Sequence, residues 1–190
     1  MISDAQVRQI ELALWPQGDA TPGSLWAVLD CARHRRIYRE LMVSRLDHQC
    51  LYSGDIPTEL RVVAPHMVEL SPRYQFTKTL LQQGWGRSWG VFLRLNDGTQ
   101  LRHHLRKLLT VRTEDGRKLL FRFFDPRVLR AYLPTCTAAE LRQVFGPVRM
   151  YFVEGASPLE HLHAFELESD RLVDRMVPLR SEALAADSTP

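Results

Sequence analysis

The chain has 190 residues, 45% of them hydrophobic, enough to bury a core as one domain with a small appendage. Its formal net charge of +3 excludes a polyanion binder by composition alone, and no window approaches the roughly 18 consecutive apolar residues that mark a membrane span. Three scattered cysteines (Cys31, Cys50 and Cys136), with no basic-then-apolar leader at the N-terminus, predict a soluble protein of a reducing cytoplasm.

The first predicted element is a helix over 3–15, where Ser3 and Gln6 have capping-box spacing and Val7, Ile10 and Leu14 share a face. A turn-rich link runs from Gln17 to Ser24. Leu25–Leu29 is a short apolar run ending at Asp30, the pattern of a buried strand. A helix over 33–46 follows, with Ile37 and Leu41 inward and Arg33, Arg36 and Arg39 outward. Cys50–Tyr52 is a short extended piece, and 57–64 suit one or two helical turns. Met67–Leu70 is the second full strand. Ser71-Pro72 then reads as a cap and first turn of a helix carrying Phe76, Leu80 and Leu81 to about Gly84.

Ser88–Leu93 is the third strand, and Asp97-Gly98 opens a helix with Leu101, Leu105, Leu108 and Leu109 on one face. Asp115-Gly116, between apolar runs 109–112 and 119–124, is a hairpin turn. The second run passes through Arg122-Phe123-Phe124 into Asp125-Pro126, a helix cap followed by a proline at the first helical position. Thr137 and Glu140 form another capping box, and Gly146-Pro147 ends that helix. Val148–Val153 and His163–Leu167 read as strands. One or two helical turns are expected from Leu172, then a disordered end. The fold class is α/β: a mixed sheet with helices on its faces, its first strands parallel through helical crossovers and the hairpin adding antiparallel strands.

Charge is unevenly spread. Residues 1–153 carry 22 Lys and Arg against 14 Asp and Glu, whereas 154–190 carry 3 against 8. The acidic end is a solvated tail, or an element that binds the basic body or a partner.

Reaction chemistry has little to stand on. His103 and His104 are adjacent on a helix and diverge by about 100°. His161 and His163 share a strand face, but Glu160 and Glu166 face the other way, so no zinc set is complete. Gly86-Arg87-Ser88-Trp89-Gly90 leads into a strand, not out of one, and so is no nucleophile elbow. No phosphate-binding glycine loop is present. Asp30 and Asp125, with Arg127, admit an alternative reading as a metal-dependent phosphodiesterase or nuclease-like site. Arg102, His103, Arg106 and Lys107 on one helix face admit a nucleic-acid module. The plainer expectation is no catalytic residue, no metal, no cofactor and no nucleic acid, with Asp125 capping its helix and Asp30 capping or pairing with Arg33.

Several strings together resemble one family: Leu29-Asp30 with Arg36-Ile37-Tyr38, Cys50–Gly54, Ala64–Leu70, Trp85-Gly86-Arg87-Ser88-Trp89-Gly90, the Leu105–Leu109 helix, Phe121–Leu129 and Phe145-Gly146-Pro147. They are similar to the adaptor domain of type VI secretion effector chaperones, the Tap or TEC adaptors. The resemblance covers about 24–155, with 1–23 as an N-terminal helix and link and 156–190 as an acidic extension. It implies a cytoplasmic, non-enzymatic adaptor that holds a cognate effector and promotes its loading onto the spike protein VgrG. Trp85, Gly86, Trp89, Gly90, Phe123, Asp125 and Pro126 are its signature positions, expected to be mainly structural; Arg127 belongs to the same signature. Phe124, Arg127, Arg130 and Tyr132 are candidate partner anchors, with Arg102 and Arg106 beside them; Phe124 and Tyr132 suit the core equally. The resemblance also implies a larger C-terminal lobe in many relatives, where this sequence has a short acidic tail, so less surface is expected for selecting a partner.

Overall fold

A computed structural model describes residues 1–16, 25–95, 100–112 and 115–179. The expected link at 17–24, the helix start at Asp97-Gly98 and the chain end past Leu179 lie outside these residues. The elements are α1 (Asp4–Leu14), β1 (Leu25–Asp30), α2 (Arg35–Ser44), β2 (His48–Cys50), α3 (Thr58–Arg61), β3 (Pro65–Leu70), α4 (Gln75–Gly84), β4 (Gly90–Leu95) and α5 (Leu101–Leu108). Then come β5 (Thr110–Arg112), β6 (Lys118–Leu120), α6 (Pro126–Tyr132), α7 (Ala138–Phe145), β7 (Val148–Glu154), β8 (His161–Glu168) and β9 (Arg171–Pro178).

Local chemistry explains most boundaries. Both capping boxes form: Ser3 with Gln6 at α1, and Thr137 with Glu140 at α7. The Asp125 carboxylate accepts from the Arg127 N–H and Pro126 opens α6. Ser71-Pro72 does not begin a helix. Ser71 instead closes a turn, accepting from the N–H of Arg73 through Oγ and from that of Tyr74 through its carbonyl, and α4 starts at Gln75 without a side-chain cap.

Seven strands form one sheet in the order β2-β3-β1-β4-β7-β8-β9, with every neighbouring pair antiparallel. The expected parallel neighbours are absent for a geometric reason. The helical crossovers β1-α2-β2 and β3-α4-β4 each join strands running the same way, but each skips one position. β3 fills the first gap and β1 the second, running oppositely. The β5–β6 hairpin forms as a separate two-stranded sheet, so it adds nothing to the main one. Residues 121–124, expected to continue its second strand, leave it and form a turn. Leu172 onward is not helical: it belongs to β9, paired along its length with β8. Residues 161–178 thus extend the same sheet.

The central strands of the sheet are buried on both faces. Leu25, Ala27 and Leu29 of β1 pack into a cluster with Val7, Ile10, Ile37, Leu41, Leu80 and Leu81, so α1, α2 and α4 cover that face. Val28 of β1 and Val91, Leu93 and Leu95 of β4 point the other way, to Leu105, Phe123, Leu129 and Leu141 of the α5, α6 and α7 side. Buried Arg94 lies over the Phe152 ring and donates through Nη2 to the Leu14 carbonyl at 2.6 Å, tying the end of α1 to the sheet.

Candidate functional site

The C-terminal ends of β1 and β7 and the N-terminus of β4 meet at one edge of the sheet, because β4 runs against both. The loop entering β4 there is Trp85–Trp89. Gly86 has φ +78° and Ser88 φ +55°. This pair of left-handed residues turns two backbone N–H groups toward Glu154, the last residue of β7. Gly86 donates to Oε2 at 2.5 Å and Ser88 to Oε1 at 2.7 Å, with the Ser88 hydroxyl adding 3.1 Å. The loop is an anion nest occupied by the protein's own carboxylate. Burial pushes the Glu154 carboxyl upward from its ordinary range, more than these donors and Arg130 pull it down.

The tryptophans and Gly90 of the loop have structural tasks. Trp85 and Trp89 are buried; the Trp85 indole donates to the Pro158 carbonyl, and the Trp89 ring stacks on His34. Gly90 lies against β1, where an added Cβ would stand 2.3 Å from the Val28 oxygen and 3.1 Å from the Leu29 Cα.

Arg122–Arg127 forms the opposite wall. The Asp125 N–H bonds the Arg122 carbonyl at 3.0 Å, closing a turn that sends Phe123 and Phe124 inward, their rings edge to face. Phe124 is 1% exposed, so its ring is in the core and not on the surface. Arg122 lies over that ring and pairs with Asp30, which is buried at the end of β1. The Asp30 carboxylate therefore pairs with Arg122 and not with the Arg33 side chain; Arg33 meets Asp30 through its N–H, which donates to the Asp30 carbonyl at 2.9 Å, while its guanidinium reaches the Arg87 carbonyl at 3.5 Å.

Asp125 accepts from the Arg127 N–H and Nε, each at 3.0 Å, and from its Nη2 at 2.6 Å. Burial acts to raise the Asp125 carboxyl, but the hydrogen bonds from Arg127, and the charges of Arg127 and Arg33, outweigh it and hold the group below its ordinary value. Arg130 donates to the Glu154 carbonyl. The charges of Asp30 and Glu154 also bear on Arg127. The result is two-tiered: Asp30, Asp125 and Glu154 are buried, and above them Arg33, Arg87 and Arg127 are exposed, with Arg122 and Arg130 half-buried.

A groove of about 580 Å³ runs along α6 from Asp125 and Arg127 to Tyr132 and Thr135. Tyr132 is half-buried, its ring edge-on to Phe121 at 4.7 Å between centroids, and burial pushes its hydroxyl up to about 12. Arg127, Arg130 and Tyr132 are thus brought together on α6. Arg102 and Arg106 lie on α5. Arg102 donates through Nε and Nη2 to the Cys50 carbonyl at 3.2 and 3.1 Å, and Arg106 lines a different groove. Glu154, Arg122, Arg33 and Arg87 were not among the site residues expected from sequence. The readable sign of Glu154 was an acid closing the apolar run Tyr151-Phe152-Val153.

Other reactive groups are poorly placed for chemistry. Cys31 Sγ lies 3.6 Å from His66 Nδ1, but burial pushes the thiol up to about 12, far from a thiolate at neutral pH. His163 pairs with Asp174 at 2.8 Å. Among the described residues no group of three or more His, Cys, Asp or Glu could hold a metal ion, and no helix is long and apolar enough to cross a membrane.

No curated protein and no solved structure matches the chain. A family model described as a domain of unknown function, DUF4123, matches residues 25–143, from the start of β1 into α7. That stretch contains both walls of the site, the Trp85–Gly90 loop and the Arg122–Arg127 turn, while Glu154 lies beyond it. The chain therefore belongs to the DUF4123 family.

Proposed function

We propose that this protein is a non-enzymatic adaptor of the bacterial cytoplasm. It holds a cognate type VI secretion effector and promotes its loading onto the spike protein VgrG. The family match supports the association with effectors. The observation that carries the non-enzymatic part is the state of the acids. Asp30 is paired by Arg122, and Asp125 is spent on Arg127 and the α6 N-terminus. A metal-dependent hydrolase needs such carboxylates unpaired and open to an ion. What this edge offers outward is arginine: Arg33, Arg87 and Arg127 on a rigid base, with the α6 groove beside them. Arginines held in fixed geometry and flanked by aromatic surface are the residues that anchor protein interfaces.

The test is capture of candidate type VI effectors, any encoded beside this protein first, with VgrG present. Wild type is expected to hold one of them, and Arg127→Ala to weaken the complex by about 1–3 kcal/mol. Hydrolysis of nuclease or phosphodiesterase substrates by the purified protein, abolished by Asp125→Asn with the fold intact, would refute the reading.

A further inference from the structure

Beside the arginine tier lies a second surface of different chemistry. The loop after β2, the end of α5 and the β5–β6 hairpin enclose a groove of about 490 Å³. Leu51 and Leu109 are its buried floor, and Tyr52, Ile56, Leu60 and Leu120 its walls. Leu60 is 45% and Leu120 52% exposed, large apolar side chains left facing water. Arg106 and Lys107 of α5 form one bank. Among the described residues neither has a carboxylate partner. Asp55 and Glu59, beside Ile56 and Leu60 in the chain, are exposed.

The hairpin sharpens the point. A two-stranded sheet is marginal alone, and this one is not joined to the main sheet. Its attachment runs through the Phe121 N–H to the Leu109 carbonyl at 2.9 Å and through Leu120 over the groove. A ligand covering Leu60 and Leu120 would bury apolar surface on both sides of the groove at once.

We infer that this groove docks an amphipathic helix of the partner protein, its apolar stripe on Leu51, Leu60, Leu109 and Leu120 and its acidic flank against Arg106 and Lys107. The basic bank sets the orientation, since only the acidic flank of the helix is attracted to Arg106 and Lys107. The groove discriminates among partners, while the arginine tier supplies general attraction for acidic surface. The partner's identity as an effector rests on the adaptor reading above.

The probe is a labelled peptide of roughly five helical turns with a leucine stripe flanked by glutamates, and its twin with lysines in their place. Binding of each to the full chain is read by fluorescence anisotropy. Wild type should prefer the glutamate peptide by about tenfold or more. Leu60→Asp, at an exposed position, should weaken it by about tenfold with unchanged melting, and Leu120→Asp should weaken it likewise. Arg106→Glu with Lys107→Glu should reverse the preference. Equal binding of both peptides, or a charge-reversed variant that still prefers glutamate, would overturn the inference. The same variants are then tried on the adjacent effector. Groove variants that hold it as wild type does would overturn the groove and leave the adaptor reading standing. A wild type that binds the glutamate peptide but no effector would refute the adaptor reading and leave the groove.

Discussion

Glu154 carries more of the site than its position suggests. Two inward backbone N–H groups and the Ser88 hydroxyl depend on it. Glu154→Ala leaves the buried Ser88 donors unanswered and the part-buried Gly86 N–H without its acceptor, and should cost about 2–4 kcal/mol in thermal or urea unfolding. Glu154→Gln keeps an acceptor oxygen and should cost less than half as much. Asp125 is the pH-sensitive partner of the tier. Its folded carboxyl sits below the ordinary value of 3.8, so its ion pair stabilises the protein above that pH and is lost as the pH falls through the lower, folded value. The stability gap between wild type and Asp125→Asn should therefore shrink below about pH 4, measured by urea unfolding across acid pH. The two acids differ in how readable they were. Asp125 announces itself through its neighbour Pro126, because capping is local. Glu154 finds its donors 66 and 68 residues earlier in the chain, and no spacing rule links them.

Elements show the same division between local and distant causes. The capping boxes and the Asp115-Gly116 turn were legible because each is decided within a few residues. Thr137→Ala should cost about 1 kcal/mol through loss of its bond to the Glu140 N–H, whereas Ser71→Ala should cost little, since Ser71 supports only a turn. Strand direction was not legible. Helices between strands suggested parallel neighbours, and the crossovers do join like-directed strands, but each leaps over one position that a later or earlier strand fills in reverse. Whether a crossover skips a strand depends on what pairs in the gap, which no single segment encodes. The helical turns expected from Leu172 gave way to β9 because β8 offers it a full-length edge from His161 to Glu168. Gly90→Ala tests the β1–β4 contact directly. Its Cβ would meet backbone, which cannot rotate aside, so a loss of about 2–4 kcal/mol or failure to fold is expected, read by circular dichroism.

At the scale of the molecule, helices cover both faces of the sheet, and one edge gathers the arginines over three buried acids. The acids are used internally and the cations face out, and the proposed grip on acidic protein surface rests on that arrangement. The family resemblance was legible from the Trp85–Gly90 and Phe121–Arg127 strings, yet the strings did not reveal that they face each other across Asp30 and Glu154. The most direct test is the affinity of the purified chain for the proposed partner, a candidate type VI effector, by calorimetry, for wild type and Arg127→Ala. The account predicts a stable complex with wild type and one weakened about tenfold or more by the substitution. No complex with wild type, or equal affinity in a folded Arg127→Ala protein, would contradict it.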